Sequence, residues 1–224
     1  MTNTEILRVM PREMRLMSER ILSLTTLPKG FALMSGDVVM VSQARGLGGF
    51  ALLEKRLPDL LSADPTRLSV DGDTLDGGGQ HAWFVVPSLL DLLGLALARN
   101  KPARIAVRNV MDPAELAVAV DMATASGMAV TVNHLTVTAT RIAPSDPLLD
   151  RLMQDGCAIP ADLWWRIFDR AQTALMPDTV VSRRHAGPVI VTDDGTLIGR
   201  ADNDDDTDAG FIATVSDQKE GAKT

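Results

Sequence analysis

Tyrosine is absent from this chain, and cysteine occurs once, at Cys157. A lone cysteine excludes an intramolecular disulfide and any cysteine-rich zinc site, and one thiol fits a reducing compartment. Aromatic residues make up 4% of the 224 positions, so the core has to be built from Leu, Val, Ile, Ala and Met. Histidine is scarce as well. His81, His134 and His185 form no H-x-H or H-x-x-x-H arrangement, so neither a metal centre nor a cofactor is expected. There is no run of about 20 apolar residues to span a bilayer. The opening MTNTEILRVMPREM lacks the basic-then-apolar order of a secretory signal. The expected location is the cytoplasm, with no membrane partner. Positive charge is in deficit: 22 Lys and Arg against 29 Asp and Glu leave a net charge of -7. That is the wrong sign for displacing counterions from nucleic acid, which is not expected as a partner.

What the chain does have is 46% hydrophobic and 23% charged residues, the balance of a folded protein long enough to bury a real core. Thr2 and Glu5 have capping-box spacing and predict a short helix to Met10. Pro11 opens a second helix with Met14, Met17, Ile21 and Leu24 on one face. Phe31 to Ala44 is apolar nearly all round and predicts a buried helix, broken by Arg45-Gly46-Leu47-Gly48-Gly49. A further helix carries Leu53 and Leu57, limited in length by Pro58. Arg67–Val70 and Trp83–Val86 read as short strands, and Pro87 as the start of a helix holding Leu89, Leu90, Leu93 and Leu97.

Residues 105–132 read as strand, helix and strand, the size of a parallel βαβ crossover. Asp112, Pro113 and Glu115 sit at cap, first-turn and capping-box positions of its helix, and Gly127 ends it. Leu135, Val137 and Ala139 alternate with threonines, a half-exposed antiparallel strand near an edge. Asp146-Pro147 and Pro160 open two more helices. Asp193-Asp194-Gly195 between two apolar triplets signals a hairpin. The class read from this pattern is α/β: an all-helical N-terminal region, 1–62, packed on a small mixed sheet with one parallel βαβ unit and antiparallel edge hairpins. Residues 1–200 are expected to form a single domain, and 201–224 an acidic, flexible tail.

Several chemistry-bearing patterns are missing. Gly46, Gly48 and Gly49 do not spell G-x-G-x-x-G, and there is no G-x-S-x-G elbow. The acidic runs at 71–79 and 202–208 both fail the calcium-loop pattern. His81 and His134 read as structural residues. The strongest concentration of polar chemistry is Ser182-Arg183-Arg184-His185, followed by Ala186-Gly187. An arginine fork matches a carboxylate or phosphate bidentately, and an imidazole titrates near neutrality. Arg45, in the earlier glycine loop, is the second Gly-flanked arginine.

These elements carry a resemblance. Ala44-Arg45-Gly46 with Gly49, then Trp164 or Trp165, then Pro177, Thr179, Ser182 and Arg183, are similar to a proteobacterial family known as domain of unknown function 3726. Its members join an Ala-Arg-Gly-x-x-Gly element to a tryptophan helix followed by a Pro-x-Thr-x-x-Ser-Arg segment. That resemblance carries no established activity. Leu27 to Leu57 also resembles the N-terminal helices of the malate/L-lactate dehydrogenase family unrelated to the Rossmann enzymes. The histidine which those enzymes carry after Arg-Gly is replaced here by Leu47-Gly48-Gly49-Phe50, so hydride transfer is not implied.

The expected function is binding of a small anionic metabolite, a carboxylate or similar group. Arg45, Gly46, Ser182, Arg183 and Arg184 would hold it, and His185 would move a proton if there is a reaction. The alternative is an accessory subunit that docks on a partner enzyme, or on a second copy of itself, through the Met-rich N-terminal helices.

Overall fold

The computed structural model describes residues 5–175 and, beyond them, two short strands. The chain divides into two units, Met1–Leu175 and Met176–Thr224. In chain order the first contains β1 (Ile6–Val9), α1 (Pro11–Leu22), α2 (Lys29–Ala44), α3 (Gly49–Leu61), β2 (Ser69–Asp71), β3 (Thr74–Asp76), α4 (Ala82–Ala98), β4 (Ala103–Arg108), α5 (Val118–Ala125), β5 (Met128–Asn133), β6 (Thr136–Arg141), α6 (Pro147–Asp155), β7 (Cys157–Pro160) and α7 (Ala161–Gln172). Short 3-10 segments at Pro65–Arg67 and Pro113–Ala117 precede β2 and α5. In the second unit, β8 (Ile190–Val191) and β9 (Leu197–Ile198) pair antiparallel, the two strands that the Asp193-Asp194-Gly195 signature predicts. The expected boundary after residue 200, and the acidic run, lie outside the described residues.

The class is α/β, with a mixed sheet of five strands ordered β2-β3-β4-β6-β5. Only β3 and β4 are parallel neighbours, and α4 connects them, so β3-α4-β4 is a parallel βαβ unit. The crossover legible in residues 105–132 is of another kind. Its strands β4 and β5 both pair antiparallel with β6, which lies between them. They therefore run in the same direction without touching. β6 is accordingly an inner strand, one place from the edge, and β5 is the edge. Along β4, buried Ala103, Ile105 and Val107 alternate with exposed Arg104, Ala106 and Arg108. One face of the sheet packs on α4 and α5, and Thr131, Thr138 and Thr140 lie exposed on the other side.

The N-terminal region is not all-helical. Residues 6–9 form β1, which pairs antiparallel with β7 in register Arg8↔Ala158 and Val9↔Cys157. A capping box needs a continuing apolar stripe behind it. Here the chain instead places Val9 in the core and satisfies its backbone against a second strand.

α1 starts at Pro11 as its sequence predicts, and buries Met14, Met17 and Ile21; Leu24 falls beyond its end and is exposed. α2 packs against α1, α3, α4 and α5, which accounts for most of its apolar character, although Leu33 and Met34 near its start are exposed. Met40 in α2 is buried with Met14 and Met17, so these three methionines are core. α3 runs through Pro58 to Leu61, because Leu57 and Leu60 anchor its last turn in the core.

The stretch Trp83–Val86, expected as a strand, is the first part of α4, and Pro87 lies inside that helix. Residues 82–87 are buried on every side. A short apolar run of that kind carries no period by which helix and strand can be told apart. No described helix is long and apolar enough to cross a membrane.

Candidate functional site

Ala44-Arg45-Gly46 ends α2 as a Schellman cap. Gly46 takes φ +83°, its N–H donates to the Gln43 carbonyl at 3.1 Å, and the Leu47 N–H donates to the Ser42 carbonyl at 3.0 Å. The loop amides thus close back on the helix. Gly48 follows with φ +81° at the N-cap of α3. Gly49 is where α3 crosses α2 most closely: a Cβ there would lie 2.5 Å from the Val39 carbonyl oxygen and 2.7 Å from the Gln43 nitrogen. The Gln43 side-chain oxygen accepts from the Phe50 N–H at 3.0 Å. One donor at the start of α3 is therefore already satisfied, and the glycine motif is explained by capping and close packing.

Arg45 lines none of the five best-formed cavities among the described residues. Its guanidinium is bound to the Asp121 carboxylate on α5. This corrects the expectation of a free clamp at that position. An arginine already matched to a carboxylate offers a second anion much less. Ser182, Arg183, Arg184 and His185 lie outside the described residues.

Gly46 does line a cavity, of about 410 Å³, together with Arg8, Gln43, Ala44, Arg151, Leu152, Asp155, Gly156, Cys157 and Ala158. Arg8 comes from β1, opposite Ala158 of β7, where strand alternation turns it away from buried Val9. Arg151 comes from the exposed side of α6 and donates to the Ala44 carbonyl at 3.2 Å, one of the orphan acceptors at the end of α2. Among the described residues neither arginine has a carboxylate within 4.0 Å. The Gln43 NH₂ group has no hydrogen-bond partner there either. Burial pushes the Cys157 thiol up from its ordinary pKa, and the positive charges of Arg151 and Arg8 oppose that shift. The thiol senses both guanidinium groups.

A second polar cluster was not visible as such in the sequence. Asp112, expected to cap the following helix, has φ +49° and makes no cap. Its carboxylate instead accepts from Arg56 Nε at 2.7 Å and Nη2 at 3.0 Å, the bidentate geometry of a guanidinium fork. His81, almost fully buried, caps α4 by accepting from the Trp83 N–H at Nδ1. Its Nε2 lies 3.2 Å from Asp112 Oδ2 but is not aligned on it as a hydrogen bond. Burial lowers the His81 pKa to about 4, against the opposing pull of Asp112. The hydrogen bond from Arg56 holds the Asp112 carboxyl below its usual range. Beside them, Trp83 Nε1 donates to buried Glu115 at 2.7 Å. His81 lines none of the five best-formed cavities among the described residues. This cluster joins α3, α4 and the segment before α5.

Arg8 and Arg151 are single arginines in unremarkable stretches, and nothing in their local spacing marks them. Register pairing of β1 with β7 and the seat of α6 against the end of α2 bring them to one cavity. Neither a protein-family model nor a curated protein matches this chain.

Proposed function

We propose that this chain is a cytoplasmic protein that binds a small anionic metabolite, a carboxylate or a group of similar charge, in the cavity walled by Arg8, Gln43, Gly46 and Arg151. One observation carries the reading: guanidinium groups from two separate elements line a single cavity with no described carboxylate within ion-pairing distance of either. The cavity volume lies within the range of small-ligand sites. Charge-assisted hydrogen bonds from arginine are the strongest that such a ligand can receive, although both side chains are exposed and water screens them. Binding is therefore expected to be modest and to weaken with salt.

The test is calorimetric titration of the full chain at low ionic strength with succinate, glutarate and inorganic phosphate. Arg8→Ala and Arg151→Ala should each weaken the best ligand by about tenfold or more, about 1.4 kcal/mol. Arg45→Ala should leave affinity nearly unchanged, because that guanidinium serves Asp121. Isotherms indifferent to both Arg8→Ala and Arg151→Ala would reject the site.

A further inference from the structure

The same cavity contains a charge of opposite sign that an anion alone does not explain. Asp155 is the last residue of α6 and lines the wall with Arg8 and Arg151. A carboxylate at the C-terminal end of a helix faces the negative pole of the peptide dipoles and is electrostatically misplaced. Arg151 stands one turn earlier on the same face, at the i,i+4 spacing from which an arginine could neutralise it. The two do not pair. Arg151 reaches instead to the Ala44 carbonyl, and Asp155 has no cation within 4.0 Å among the described residues. The cavity thus presents two positive groups and one negative group, held apart, with a net charge of +1 from these side chains.

We infer that the ligand is a zwitterion of the acidic amino-acid type, with two carboxylates for Arg8 and Arg151 and an ammonium for Asp155. Such a molecule carries a net charge of -1 and complements the wall group by group. A simple dicarboxylate would match the two arginines but leave Asp155 facing like charge, with a net charge of -1 at the site. The amide NH₂ of Gln43 adds a neutral donor on the same wall. This inference rests on the anion-binding reading above and assigns the class of ligand to it.

The experiment compares ligands that share a carbon skeleton. Calorimetry on the full chain with glutarate, L-glutamate and N-acetyl-L-glutamate isolates the ammonium, because acetylation removes its charge and keeps both carboxylates. L-Glutamate should bind about tenfold more tightly than either of the others. In Asp155→Asn, an exposed change that leaves the fold intact, that advantage should vanish while glutarate binds at least as well as before. Glutarate binding to the unaltered protein as tightly as glutamate overturns the zwitterion and leaves the anion site standing, as does an ammonium preference that survives in Asp155→Asn. Failure of all three ligands and of inorganic phosphate to bind overturns the anion site itself.

Discussion

At His81 the physical chemistry of one side chain sets a pH dependence for the whole fold. The imidazole is held neutral by burial, with its pKa near 4 in the folded chain against about 6.5 when unfolded. Between those values the unfolded chain takes up a proton that the folded chain refuses, so stability falls as pH drops from about 6.5 towards 4. The full loss is about 3 kcal/mol, complete once pH passes below the folded value. Urea midpoints at pH 7.5, 5.5 and 4.5 should show this decline, and His81→Gln, which keeps an acceptor for the Trp83 N–H, should flatten it. Parallel pH profiles for the two proteins would show that the imidazole does not titrate as its surroundings demand. Sequence spacing suggested a hydrogen-bonded structural role for His81, and its place at the head of α4 fits that role. The tie to Asp112 and Arg56 depends on chain segments tens of residues apart, and local pattern carries no trace of it.

Among the elements, the contact between α2 and α3 shows the packing chemistry of a glycine motif whose first residue also lines the candidate cavity. Gly46→Ala places a side chain at positive φ in open space and should cost about 1 kcal/mol. Gly49→Ala drives a Cβ into the backbone of α2 at Val39 and Gln43 and should cost about 3 kcal/mol, since neither helix can yield without disturbing the core. Denaturant unfolding of both variants checks the order, and equal losses would contradict the close crossing. Helix starts at Pro11, Asp146-Pro147 and Pro160 were legible, because a proline in the first turn and a capping side chain act within a few residues. Trp83–Val86 was not, because a segment buried on all sides owes its conformation to its neighbours. β1 and β7 were missed for the same reason: each is short and is stabilised by the other across 150 residues of chain.

For the molecule as a whole, the described core runs from Val9 to Ala171 and joins both the helices and the sheet of the first unit. A chain ending at Leu175 should therefore unfold cooperatively, with a Tm within about 5 °C of the full-length protein. A broad, non-cooperative melt would mean that residues beyond 175 complete the fold. The sheet order sets the other molecular feature. β6 enters between β4 and β5, turning the crossover that sequence alone reads as adjacent parallel strands into a split one, while β3-α4-β4 supplies the adjacent pair.

Residue pattern by itself determined the α/β class, the helix starts governed by proline and capping residues, and the half-exposed threonine strand, because each depends on interactions within a turn or two of chain. Tertiary structure decided which strands are neighbours, which arginine is spent on a carboxylate and which two meet at a cavity. Those outcomes depend on side chains far apart in sequence meeting in space, and a guanidinium carries the same charge whether its partner is Asp121 or a ligand.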